Sequence, residues 1–99
     1  MEVVAKESVK VPVFQIQSRM ILIGINEDAG NYDAALKDAE YLISMADDEL
    51  KPKVLLAKGR IQMLKDAKAE AKATLDDLIA KHANSPEAQK ARSMLALIN

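Results

Sequence analysis

Ninety-nine residues suffice for one domain with a shared core but leave little surplus to enclose a deep catalytic cleft. Fourteen basic residues offset fifteen acidic ones, and two Tyr, one Phe and no Trp give no base-stacking platform, so nucleic acid is not an expected partner. Residues classed as hydrophobic form 49% of the chain and aromatics only 3%, which leaves Ala, Leu, Ile, Val and Met to build a core of closely packed helices; the absence of cysteine excludes disulfides and thiolate sites in any compartment.

Residues 1–11 form an N-terminal extension without an assigned element. Val9, Val11 and Val13 alternate as a strand would, but a lone strand has nothing to pair with, and the charges among the first ten residues interrupt any secretory signal. Apolar periodicity then predicts a helix over 12–28 with Phe14, Ile21 and Ile25 on its stripe. Its apolar run Met20–Ile25, bracketed by Arg19 and Asn26, is far shorter than the roughly 20 residues of a membrane span and reads as a buried helix segment, with no membrane insertion.

Capping chemistry sets the later boundaries. Gly30-Asn31-Tyr32-Asp33 supplies a residue tolerant of positive φ, a side-chain cap and a first-turn acid, opening a helix over 32–46 with Leu36, Ala39, Leu42 and Ile43 inward. Asp47-Asp48-Glu49 with Pro52 opens the next over 51–65, carrying Leu55, Gly59, Ile61 and Met63. Asp66 reads as the cap of a helix over 67–82, with Leu75, Leu78 and Ile79. Ser85-Pro86-Glu87 gives a cap, a first-position proline and a first-turn acid to the last helix, 86–98, with Ala91, Leu95 and Ile98 inward. The short connections predict antiparallel neighbours, an all-α fold of five helices.

The chain also matches itself. Gly30–Leu36 aligns with Asp66–Lys72, and onward Ala39 meets Leu75, Leu42 meets Leu78 and Ile43 meets Ile79, at an offset of 36 residues. Backward, the same offset pairs Met20 with Leu56 and Ile25 with Ile61; forward, it pairs Ile23, Gly59 and Leu95. These residues resemble the tetratricopeptide family. Gly59 resembles the small residue of that family's first helix, Gly30-Asn31-Tyr32 its turn, and Ala35 and Ala71 the close-contact alanine of its second helix. Asn84-Ser85-Pro86 with Ala88 and Ala91 is similar to the boundary in bacterial envelope members. The departures are Ile23 at a small-residue position, a period of 36 and a fourth helix without the turn's Gly and Tyr. The resemblance implies two units and a final half-unit in a short right-handed solenoid over 12–99, which can be a fragment of a longer protein, and a periplasmic or envelope-associated location. A generic five-helix bundle is the alternative.

Catalytic and metal-binding patterns are weak. His82, the only histidine, lies near a helix C-terminus and has no partner at ligand spacing; Glu27-Asp28, Asp47-Asp48-Glu49 and Asp76-Asp77 are sequence neighbours that diverge on a helix. The serines lack a base and an oxyanion site, and the three glycines are too dispersed to cradle phosphate. Neither an enzyme nor a cofactor is expected.

In tetratricopeptide arrays the first helix of each unit lines a concave groove. The resemblance carries that role to Gln17, Met20, Gly24 and Glu27, to Lys53, Leu56, Arg60 and Met63, and to Gln89 and Arg92. Methionines suit an adaptable apolar groove, and Arg60 and Arg92 suit carboxylate recognition; the competing reading makes Met20, Leu56 and Met63 plain core. The asparagine-and-lysine clamp for acidic C-termini is absent. The implied activity is a non-catalytic scaffold or adaptor that holds a peptide or helix of a protein partner. The second reading is self-association into a homodimer or larger homo-oligomer, because about three repeats are needed for stability and this chain has fewer.

Overall fold

The computed structural model describes the backbone of residues 13–98 and the side chains of residues 16–98. The extension 1–11, with the alternating Val9 and Val11, and the side chains of Val13 and the stripe position Phe14 lie outside what is described. All regular structure among the described residues is helical: α1 Val13–Asp28, α2 Tyr32–Met45, α3 Lys51–Leu64, α4 Lys68–Lys81 and α5 Pro86–Ile98. Each helix packs on the next, and α3 packs on α5 as well. No helix of the described residues is long and apolar enough to cross a membrane. The body measures 51 × 32 × 17 Å, with a radius of gyration of 14.3 Å against about 13 Å for a compact chain of 100 residues.

The core is divided into two clusters by α3. Ile23, Ala35, Ala39, Leu42, Val54, Ala57 and Ile61 join α1, α2 and α3; Leu55, Leu75, Leu78, Ala88 and Ala91 join α3, α4 and α5. Because α3 serves both, its buried residues, from Pro52 and Val54 to Ile61 and Gln62, wrap around the helix instead of forming one stripe.

The two turns within the helix pairs repeat bond for bond. The N–H of Gly30 donates to the Glu27 carbonyl at 3.1 Å and that of Asn31 to Asn26 at 2.8 Å; 36 residues later Asp66 donates to Met63 at 3.0 Å and Ala67 to Gln62 at 2.8 Å. This bond pair closes a helix around a left-handed residue. Gly30 has φ 81° and Asp66 φ 67°. Asp66 therefore ends α3 and is not the expected cap of α4; Ala67 is the N-cap there, and neither it nor Asn31 makes a side-chain capping bond. Ser85 does cap: its Oγ accepts the Ala88 N–H at 3.2 Å. Asp47 Oδ1 likewise accepts the N–H groups of Glu49 and Leu50 ahead of α3. Since an L-residue in the left-handed region costs about 1–2 kcal/mol, partly offset by the unfolded-state entropy of glycine, Asp66→Gly is expected to stabilise by about 0.5–1 kcal/mol and Gly30→Ala to destabilise by about 1 kcal/mol. Urea unfolding of both variants checks the opposite signs.

Burial follows the same offset in the second helices: Ala35 and Ala71, Ala39 and Leu75, and Leu42 and Leu78 are all fully buried. Inside the pairs the large and small partners are exchanged. The first cluster holds Ile23 with Ala39, and the second unit sets Gly59 against Leu75. Ile23 at a small-residue position is thus matched by a small residue on α2.

Two expectations are corrected. The run Met20–Ile25 is not buried as a whole: Ile23 is 2% exposed, but Ile21, Leu22 and Ile25 are 62%, 44% and 56% exposed, and α1 instead turns Ile16, Met20 and Ile23 inward. The offset also changes at α5, whose buried Ala88 and Ala91 stand 34 residues beyond Val54 and Ala57, not 36. The connection into α5, residues 82–85, is one residue shorter than that into α3, residues 46–50, and Pro86 occupies the first helical position where Pro52 occupies the second.

Candidate protein-binding surface

The positions expected to line a groove come from α1, α3 and α5, and one contact between them joins two of these helices. Arg60 on α3 donates from Nε to Glu27 Oε2 at 2.8 Å and from Nη2 to Glu27 Oε1 at 2.9 Å, a two-pronged pair across to the last turn of α1. Its bonds to Glu27 raise the Arg60 pKa above its ordinary value, against the opposing effect of partial burial. The guanidinium is therefore already satisfied by a carboxylate of its own chain. Its role is to clasp α1 to α3, and any carboxylate from outside must compete with Glu27.

The remaining positions divide by exposure. Gln17, Lys53, Gln89 and Arg92 are exposed. Lys53 and Arg92 make no ion pair or side-chain hydrogen bond among the described residues, so they are the cations of this set that are free to meet a partner. Met20 is half-buried against the first cluster, and Leu56 and Met63 against the second. The apolar members thus pack in part on the core, and the fully exposed positions of the set are polar. Gly24 is half-buried and has no atom within 4 Å of the place a Cβ would take, so this flank of α1 is open.

Other ion pairs fix neighbouring helices. Arg19 donates from Nη1 to Asp38 Oδ1 at 2.8 Å and lies 4.0 Å from the centre of the Tyr41 ring, drawing the cation of α1 onto α2. Lys65 Nζ donates to Asp33 at 2.6 Å between the two turns; that bond raises the lysine pKa, although both groups are exposed and the pair adds little to stability.

A shallow depression of about 480 Å³ lies elsewhere, where the end of α2, the start of α3 and the end of α4 meet. Ile43 and Leu55 form its apolar lining and Asp48, Lys51, Asp77, Lys81 and His82 its charged and polar one. Lys81 is paired with Asp77 at 3.2 Å, one turn away on α4. Among the described residues no three His, Asp or Glu side chains are grouped so as to hold a metal ion.

The surface that sequence reasoning placed inside is the outer face of α1. Ile21, Leu22 and Ile25 form an exposed apolar patch with no charged side chain between them. A signal was present: a run of apolar residues and one glycine from Met20 to Ile25 covers more of the helix circumference than one neighbour can bury. Compared with protein-family models, with curated proteins and with solved structures, the chain matches none of them.

Proposed function

We propose that this chain is a non-catalytic scaffold of the tetratricopeptide kind, a short solenoid that holds a protein partner on the face shared by α1, α3 and α5. The observation that carries this reading is the repetition itself. Two helix–turn–helix units share the same turn hydrogen bonds and the same fully buried positions at an offset of 36 residues, and a fifth helix begins a third. An array of this sort has its elements related by translation along the stack, so equivalent outward positions fall in register and present a continuous surface to an extended or helical ligand.

Lys53 and Arg92, with Gln17 and Gln89 also exposed on these three helices, give that surface its polar recognition groups. Their free cations favour a partner segment carrying carboxylates, with affinity completed by apolar contacts at the half-buried margins of Leu56 and Met63. The resemblance of the Ser85-Pro86 boundary to envelope proteins makes a periplasmic assembly factor the setting that fits.

The test is chemical cross-linking and capture from envelope extract with the wild-type chain and with Lys53→Glu/Arg92→Glu. Both positions are exposed, so circular dichroism of the double variant should match the wild type. Proteins retained by the wild type and lost from the variant are the expected result. An identical set retained by both would sink the placement, and no retention by the wild type would sink the binding reading.

A further inference from the structure

The Glu27–Arg60 pair has no counterpart at the next joint of the repeat. At the 36-residue offset Glu27 corresponds to Met63, and at the 34-residue offset of α5 Arg60 corresponds to Met94. Both methionines pack on the second core cluster, and the backbones of α3 and α5 approach each other more closely than those of α1 and α3. At these positions α3 and α5 are thus joined without charge, whereas α1 and α3 meet through a carboxylate and a guanidinium bonded at 2.8 and 2.9 Å. The two side chains are unequally shielded, that of Glu27 being 15% exposed and that of Arg60 45%. Arg60 is therefore accessible to a second carboxylate arriving from solvent. Lys53 stands seven residues before it, which sets the two cations on one face of α3 about 10 Å apart along the axis, with the half-buried Leu56 between them.

We infer that Glu27 is a built-in competitor at Arg60, displaced by a partner segment that carries two carboxylates two helical turns apart, one for Lys53 and one for Arg60. Glu27 is tethered, so it faces Arg60 at an effective concentration that a single free carboxylate does not match. A segment already anchored on Lys53, which has no ion pair among the described residues, presents its second carboxylate from a tether as well, and the exchange becomes an even contest. A partner helix with acids at i and i+7 has this spacing, and an apolar side chain at i+3 or i+4 then meets Leu56. Asp28 opposes the exchange. It is exposed, makes no ion pair among the described residues and adjoins Glu27, so the incoming acid is repelled by both carboxylates once Glu27 is released. The opposition raises the threshold further against segments with one acid.

The inference rests on the binding face proposed above and specifies its ligand. The probes are two fluorescent alanine-rich helical peptides, one with glutamates at i and i+7 around a leucine at i+3, the other with the second glutamate replaced by glutamine. Each is titrated with the full chain at low salt and followed by anisotropy. The two-acid peptide is expected to bind at least about fivefold more tightly than the one-acid peptide. Glu27→Gln should tighten it by a further factor of about three to ten, and Glu27→Gln/Arg60→Gln should remove that gain. A pair that only holds α1 in place predicts the reverse, a loss of affinity in Glu27→Gln. In the wild type, saturating peptide should also speed amide hydrogen exchange over residues 25–28, the last turn of α1, and this measurement decides alone should Glu27→Gln lose helicity. Unchanged or weakened binding in a folded Glu27→Gln variant, exchange in α1 that is unchanged or slower with peptide bound, or no binding of either peptide would overturn the inference. If Lys53→Glu abolishes peptide binding while Glu27→Gln leaves it unchanged, the face stands and the competitor falls; the Lys53/Arg92 capture tests the face independently of Glu27.

Discussion

Gly59→Ile combined with Leu75→Ala is expected to recover much of the stability that either substitution alone removes. A Cβ at position 59 would lie 2.6 Å from Leu75 Cδ2 and 2.9 Å from Cγ, closer than carbon atoms can approach. Leu75 is fully buried within the second core cluster, so moving it displaces core neighbours. Isoleucine there should cost at least the ~1–3 kcal/mol typical of overpacking, and Leu75→Ala alone about 2–5 kcal/mol through the cavity it leaves. The double change re-creates the pairing of Ile23 with Ala39 that the first unit already uses. Urea unfolding of the four proteins gives the coupling, expected at about 1–3 kcal/mol in favour of the pair. Additive losses would show that the two helix contacts are not equivalent. Gly24 is the control, because nothing lies within 4 Å of its absent Cβ; Gly24→Ala should stabilise by about 1 kcal/mol from helix propensity alone.

That contrast marks the boundary of what the amino-acid sequence reveals. Helix ends are legible because they are local: Gly30, Asp47 and Ser85-Pro86 act on backbone groups within a few residues of themselves. The 36-residue self-match is legible for the same reason, and it pairs Gly30 with Asp66 before their backbone angles are known. It does not say that Asp66 would take the glycine's role at the end of α3 instead of capping α4, since aspartate is competent for both.

The inward arc of α1 was not legible. From Met20 to Ile25 every residue is apolar except Gly24, so periodicity gives no preference between the arc of Ile23 and that of Ile21 and Ile25. The choice is made by α2 and α3, which approach from one side only. Long-range polar contacts were equally hidden. Glu27 and Arg60 are 33 residues apart, and no local pattern distinguishes a guanidinium awaiting a partner from one already held. Met20, Leu56 and Met63 read as groove or as core with equal ease, and the structure sets all three half-buried against the clusters.

Thr74→Val is expected to destabilise the second unit by about 1–3 kcal/mol although it removes almost no volume. Thr74 Oγ1 on α4 donates to Gln62 Oε1 on α3 at 2.7 Å, and the two side chains are only 8% and 6% exposed. Valine would leave the amide oxygen of Gln62 buried without a donor. The opposite deletion, Gln62→Leu, should cost less, because a threonine hydroxyl in a helix can turn to the carbonyl four residues back, whereas the amide oxygen has no such substitute. Making both changes replaces the polar pair by apolar contact and should approach wild-type stability, a non-additivity measurable in the same unfolding series. The repeat explains why a polar clasp stands here. Position 74 corresponds to Asp38, which is held by Arg19 of α1, so each second helix is tied to its first helix from the same place by different chemistry. An apolar stripe can slide along its neighbour by a turn at modest cost; a directional bond cannot. The Gln62–Thr74 bond, with the close approach of Leu75 to Gly59, therefore ties the register of α4 to α3. Since α5, which carries Arg92, packs on both of those helices, a shift of α4 on α3 is expected to move Arg92 relative to Lys53. A loss of partner capture in Thr74→Val at a temperature where the protein remains folded would connect that register to binding.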